Sequence, residues 1–520
     1  MMKKKDELIL TIDAGTQSIR AALVDLKGQI IDLVKTPIEP YFSEFPGWAE
    51  QQPDYYWDML CKSCRTLLAN TGDLKNDIAG VSITTQRATV VNVDKEGNAL
   101  RPAIVWLDQR KADSGRILPS ALKPILKTVK LYDFVDGVIS NCQINWLKQN
   151  QADIWEKTHK YLLLSGYLNF KLTHEFIDSV GSNVGYLPVN GKTYQWAGKY
   201  DFKWKLFPVE QEKLPLLVKP GQRIGTITEK ANMETGIPSG IPVIAAASDK
   251  ACEILGAGCL TPETACLSFG TIATVNTAIQ KYVELQAFIP PYPAAVPDQY
   301  YTEVAIMRGF WMVTWFKEEF GLKEKLEAEE TGVTPEMLFE KIIKDVPPGS
   351  MGLVLQPHWS PGPHMERYAK GSIIGFGDVH TRGHLYRAMI EGLIYGLKQG
   401  ALLTEKKNKV PITQLRISGG GSQSDTAMQI AADVFGIPAQ RPHTHETSVI
   451  GAAIDAAVGL NLFSDFESAV KEMTGIKKVF EPIPENCRIY KDLYENVYTK
   501  ISKKLMPLYK EIQSITRYPE

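Results

Sequence analysis

The sequence predicts an α/β protein made of two copies of one domain, with a cleft between the copies. Three observations carry that expectation. The chain has 520 residues, beyond the size at which one hydrophobic core usually stops growing. Two stretches, ELILTIDAGTQSIRAALVDLKGQII near the start and TACLSFGTIATVNTAIQ from 264, share one plan of apolar strand, Gly-Thr turn and second strand. In each half a later helix leads into a short strand with a polar or glycine-rich end, IAGVSITTQR at 78–87 and ITQLRISGGGSQSD at 412–425. The expected boundary divides residues 1–256 from 257–520.

Taken in chain order, the first strand ends at Asp13 and turns through Gly15-Thr16, and the second ends at the Lys27-Gly28 turn. PDYYWDMLCKSCRTLLAN has helical periodicity, so its Cys61 and Cys64 read as thiols packed on a helix and not as a redox or zinc pair. IVWLDQR is a strand end carrying Trp106 and Asp108. IPVIAAASDKACEILGAG at 241–258 is an apolar run cut by Asp249 and Lys250, and charges are costly to bury without a partner or a use. Asp249 stands where a helix N-cap would, although Cys252 occupies the place of an answering Glu or Gln. After residue 480, RIYKDLYENVYTKISKKLMPLYKEI is amphipathic. It is expected to close the second domain, with a homodimer contact as the alternative.

Bulk properties exclude several classes. The chain is 44% hydrophobic and 22% charged, as in soluble globular proteins. Lys+Arg 58 against Asp+Glu 59 gives a net charge of -1 with no basic stripe, so no nucleic-acid partner is expected. No apolar run has membrane-span length and the start lacks a signal-peptide core, so neither a membrane nor secretion is expected. Seven scattered cysteines make no disulfide framework. Cytoplasmic residence is the expectation.

A Gly-Thr hairpin turn presents backbone N–H groups and a hydroxyl in a concavity that suits anions. A matched pair of them, with a third glycine-rich loop at 419–421, favours a nucleotide-binding protein. Other phosphate schemes fail. Gly191-Lys192-Thr193 resembles the end of a P-loop, but the pattern needs a glycine where Tyr186 stands. No GxGxxG follows a strand, and His380 and His384, though spaced i,i+4, lack supporting metal ligands.

DAGTQSIR at 13–20, PGWAEQQPDYYW at 46–57 and QRATVVNVDKEGNALRPAIVWLDQR at 86–110 resemble the N-terminal domain of the FGGY carbohydrate kinases. SDKACEILGAG, LSFGTIA and SGGGSQSDTAMQIAADVFGIPAQRPHTHETSVIGAAIDA follow in family order, as does GSIIGF with HLYRAMIE at 371–391. The resemblance, to a subgroup related to xylulose and glycerol kinases, implies an actin-like ATPase fold of the ribonuclease H-like type. It implies ATP, Mg²⁺ and a small-molecule sugar or polyol substrate. It implies Asp13 at the metal site, Thr16, Gln17 and Arg20 at the first phosphate loop, and Gly270 and Thr271 at the second. Gly420, Gly421 and Ser424 would form the adenosine side, and Asp249 would be the catalytic base. Gln86, Arg87, Trp106 and Asp108 suit a sugar, because a Trp face covers C–H groups while polar side chains take hydroxyls.

Departures from the family pattern bear on the substrate. Ala88 stands where glycerol kinases carry a Glu, which disfavours glycerol. Lys250 replaces a usual Gln or Asn and would meet a carboxylate or carbonyl oxygen of a ketose, polyol or sugar acid. Gln143 replaces a Lys, Phe376 a smaller aliphatic residue, and Phe310-Trp311-Met312 small residues, a change expected to narrow the cleft or reshape the acceptor pocket. An actin-like or chaperone-type ATPase, or a silent sugar sensor, would share the phosphate loops.

Overall fold

Seven consecutive buried residues make Leu8–Ala14 an interior strand of the first sheet, since a strand covered on both faces reads as a continuous apolar run. In the computed structural model, which describes residues 7–128, 131–359 and 368–518, this strand organises the first half of the chain. The charged start at 1–6, read above as no signal peptide, lies outside the described residues. Ser18–Asp25 returns antiparallel to Leu8–Ala14 through a turn closed by Gly15 N–H donating to Ser18 O at 3.1 Å. Ile30–Pro37 continues the meander after the turn at Gly28, whose φ of 72° favours glycine. On the other side, Ile78–Thr85 and Pro242–Ala245 run parallel to the first strand, and Arg223–Thr226 forms an antiparallel edge.

The second half repeats the plan. Thr264–Phe269, Ala273–Ile279 and Tyr300–Ile306 form the antiparallel meander. Gln414–Ser418 and Ala439–Pro442 add in parallel, and Ile476–Phe480 is the antiparallel edge. The same strand order in both halves is the duplication expected from the sequence.

By chain contacts the protein divides into two units. The first comprises 1–256, 292–299 and 448–474, and the second comprises 257–291, 300–447 and 475–520. Helix Pro53–Thr71 starts on a proline at its first turn, a position where the missing N–H costs nothing. It buries Tyr56, Trp57, Leu60 and Leu67 against the first meander. Its Cys61 and Cys64 are buried free thiols, and desolvation pushes Cys61 up to about 12, so neither is a reactive thiolate. In the second unit, the long helix Arg382–Asn408 and the C-terminal tyrosines Tyr490, Tyr494 and Tyr498 complete the core. No helix among the described residues is long and apolar enough to cross a membrane.

Candidate functional site

The three parallel strands of the first unit end on the same side of their sheet, with Ala14 opposite Thr85 and Ala245 opposite Ile83. Ligands in open α/β sheets collect beyond such carboxyl ends. The end of the first strand presents Asp13, and the segments that follow the other two deliver Gln86 with Arg87, and Asp249. Asp13 is 2% exposed, and its Oδ2 takes Arg20 Nη1 at 2.7 Å and Ser448 Oγ at 3.3 Å. Arg20 reaches it because the hairpin register sets the two residues opposite each other.

Four side chains form one hydrogen-bonded line beside this pair. Trp106 Nε1 donates to Thr16 Oγ1 at 3.0 Å, and Thr16 donates to Gln86 Oε1 at 2.9 Å. Gln86 Nε2 in turn donates to the buried Tyr56 hydroxyl at 3.2 Å. Thr16 is thus joined to the side chains read as sugar-binding. Arg87 stacks over the Tyr292 ring at 4.9 Å. Its neighbour Ala88 has a φ of 58°, a left-handed conformation that costs a non-glycine residue about 1–3 kcal/mol and tends to occur at functional sites.

Asp249 is half-buried at the first position of helix Asp249–Gly256. Desolvation pushes its carboxyl up to about 6, against the opposing pull of Arg87 and Lys250 and with help from Asp13. Those charged groups therefore share one electrostatic neighbourhood. The N-cap reading of Asp249 is corrected: Ser248 O accepts the Cys252 N–H at 2.9 Å, so Ser248 caps the helix. Asp249 Oδ1 accepts the N–H of Lys250 at 2.6 Å. Lys250 Nζ itself is paired with Glu253, one turn along the helix.

Asp108 has a different set of partners. Its oxygens take Arg110 Nε and Nη2, each at 2.7 Å, and the Ala49 N–H at 2.7 Å. Arg110 also pairs with Glu50 at 2.8 Å and lies over the Trp48 ring at 3.8 Å and Trp146 at 4.7 Å. Every charged side chain of this network, Arg101 included, is at most 5% exposed. It braces the loop that carries Trp106.

In the second unit, Gly270 and exposed Thr271 form the turn after Thr264–Phe269. Their carbonyls accept the N–H groups of Phe310 and Gly309, both at 2.9 Å. The glycine run lies directly against this turn: a Cβ on Gly419, whose φ is 83°, would come within 3.1 Å of Gly270 N. Phe310 stacks on Phe269 with centroids 4.4 Å apart, and a Cβ on Gly421 would meet its ring at 2.4 Å. The expectation that Phe310-Trp311-Met312 reshape a pocket is corrected for two of the three. Phe310 and Met312 are buried in the second unit's core, because an apolar ring and thioether gain more there than in water. Gly420 is open around its Cα, whereas Ser424 caps helix Asp425–Phe435 through Ala427 N–H and donates to Glu340 at 2.6 Å. Gln17 is exposed, its carbonyl accepting from Ile38 N–H at 3.0 Å.

The motifs set aside have structural roles. Gly191-Lys192-Thr193 is the tip of a two-stranded hairpin. His384 closes the capping box of the long helix with Thr381. Among the described residues no three His, Cys, Asp or Glu side chains cluster as a metal site. Sequence reasoning missed Tyr56, Tyr292 and Ser448. Only Tyr56 carried a signal, as the helix residue facing the sheet; the other two arrive from chain segments far away in sequence.

Known proteins resemble this chain over both of its halves. Residues 8–256 match the N-terminal domain of the FGGY family of carbohydrate kinases, and residues 265–460 match its C-terminal domain. The uncharacterized sugar kinase YgcE of Escherichia coli (strain K12) is 30% identical over 96% of this chain and 94% of its own. The xylulose kinase of Staphylococcus epidermidis (strain ATCC 12228 / FDA PCI 1200) is 28% identical over 98% of this chain and 99% of its own. The crystal structure of xylulose kinase from Rhodospirillum rubrum superposes with a TM-score of 0.79 at 23% identity, covering 97% of this chain and 100% of that one. With both domains matched in order and the duplicated actin-like α/β plan in place, the chain belongs to the FGGY family of carbohydrate kinases.

Proposed function

We propose that the protein transfers the γ-phosphoryl group of ATP to a hydroxyl of a ketose or polyol, with Asp249 as general base. The observation that carries the reading is the placement of Asp249 at the first position of helix Asp249–Gly256, beyond the strand ends that also present Asp13 and Arg87, where burial pushes its carboxyl up to about 6. That value leaves it ionised at neutral pH yet basic enough to take a proton in the transition state. As the acceptor oxygen bonds to phosphorus, its proton passes to Asp249, and the bond from the γ-phosphorus to the bridging oxygen breaks to leave ADP.

Residues 1–256 would carry the acceptor side and residues 257–520 the nucleotide side. Trp106 would cover the C–H face of the acceptor, while Gln86 and Arg87 take its hydroxyls. Thr16, Gln17 and Arg20 would line the first phosphate loop, with Thr16 bridging to the acceptor residues. Gly270 and Thr271 would receive phosphate oxygens, and Gly420, Gly421 and Ser424 would border the adenosine. Asp108 would act through Arg110, fixing the loop under Trp106.

With no cluster of three His, Cys, Asp or Glu side chains among the described residues, Mg²⁺ would be held by the single carboxylate of Asp13 through water, as suits an ion that keeps several of its waters. Bound there, the ion would neutralise phosphate charge. Lys250 is paired with Glu253, so an acidic acceptor would compete with that carboxylate; a neutral acceptor fits better than a sugar acid. Lys250→Gln should therefore change the preference among neutral and acidic sugars, and an unchanged preference would remove Lys250 from recognition. The reading is tested by ADP formation from Mg-ATP across pentuloses, hexuloses, polyols and aldonates. ADP that depends on a neutral sugar or polyol is expected; turnover indifferent to every acceptor would overturn it.

A further inference from the structure

Helix Thr447–Gly459 brings two side chains to the strand ends that carry the acids. Ser448 donates to Asp13, as described, and Asp455 lies two turns further on. Asp455 is 0% exposed, with Oδ2 accepting the Ala247 N–H at 3.3 Å and the Cys252 thiol at 3.7 Å. Its Oδ1 is buried with no hydrogen-bond partner among the described residues. Between these two residues the helix presses closely on its neighbour, since a Cβ on Gly451 would lie 2.0 Å from Cys252 O.

Ala247 is two residues before Asp249, past the last paired residue of strand Pro242–Ala245. The sheet ladder therefore cannot satisfy its backbone, and it is fully buried. Its carbonyl accepts Thr84 Oγ1 at 2.9 Å and the Cys252 thiol at 3.4 Å, and its N–H has Asp455. Without that acceptor the Ala247 N–H would be buried and unpaired, a state native proteins avoid. A buried carboxyl is itself costly where a leucine of similar size would not be. What the acid supplies in return is a fixed direction for the chain entering helix Asp249–Gly256.

We propose that Asp455 is a positioning residue for phosphoryl transfer, holding Ala247 so that Asp249 is presented to the acceptor hydroxyl. The proposal rests on the reading of Asp249 as base. Burial raises the Asp455 carboxyl well above the usual carboxylate range, which favours the uncharged form that an amide mimics.

The test compares Asp455→Asn, which keeps an acceptor for Ala247, with Asp455→Leu, which fills the volume without one. Asp455→Leu is expected to lower kcat by about tenfold or more while the KM for ATP stays within about twofold, since small misplacements of reacting groups are costly. Asp455→Asn is expected to restore kcat to within about threefold of wild type, because its amide oxygen still accepts. Hydrogen exchange, read on a peptide spanning Ala247 and Asp249, should quicken in the leucine variant only. A leucine variant that turns over or exchanges like wild type overturns the proposal, as does an asparagine variant as impaired as leucine. A wild type without acceptor-dependent ADP overturns the kinase reading instead, and the exchange measurement distinguishes the two because it needs no turnover.

Discussion

Burial pushes the Asp249 carboxyl up to about 6 while Arg87 and Lys250 pull it back, so the group is a carboxylate above that value and an acid below it. A base must be ionised, so kcat/KM with the best acceptor should fall as pH drops through about 6 and level off above it; a flat acid limb down to about pH 5 would remove Asp249 from the base role. The same shift has a stability consequence. Because the folded-state value lies above the ordinary 3.8, the neutral acid favours folding, and that contribution is lost as pH rises from about 4 through about 6. Asp249→Asn should therefore stabilise the protein at neutral pH by about 1–3 kcal/mol, with the gain vanishing below about pH 4. Thermal melts across pH check this, and a destabilised variant at neutral pH would show that the carboxylate is held by its cations more than it is penalised by burial. Asp249 drew attention in the sequence because two charges interrupted an apolar run. Its correct place in the helix was not legible, since Ser248 caps through its backbone carbonyl, and that geometry leaves no compositional trace.

Among the elements, the glycine run at 419–421 makes a sharp contrast. A Cβ on Gly421 would strike the Phe310 ring at 2.4 Å, whereas one on Gly420 meets nothing within 4 Å among the described residues. Gly421→Ala should cost about 1–3 kcal/mol by overpacking and weaken ATP binding, while Gly420→Ala stays within about 0.5 kcal/mol. Denaturant melts and nucleotide titration separate them, and equal behaviour of the two would contradict the packing account. The loop bearing Trp106 depends on Arg110, wedged between Trp48 and Trp146 and paired with Asp108 and Glu50. Arg110→Met leaves Asp108 buried without its cation and should cost about 3–5 kcal/mol. A melt within about 1 kcal/mol of wild type would show the network is not holding the loop. The strands of this scaffold were readable from apolar runs and turn residues. The Arg110 network was not, because Trp48, Arg110 and Trp146 become neighbours only through tertiary packing.

Across the whole molecule, the two halves repeat one strand order, and the matched Gly-Thr turns were enough to expect it. Less legible was the return of residues 448–474 to the first unit, which brings Ser448 and Asp455 to the strand ends carrying Asp13 and Asp249. A continuous helical pattern through GAAIDAAVG says that a helix is buried but not against which sheet. The central claim is that this scaffold uses Asp249 to activate a sugar or polyol hydroxyl. Acceptor-dependent ADP formation by Asp249→Asn, set against wild type with the best acceptor and saturating Mg-ATP, tests it most directly. A loss of about 10²–10⁴-fold with ATP affinity retained is expected; near-normal turnover would remove Asp249 from the base role.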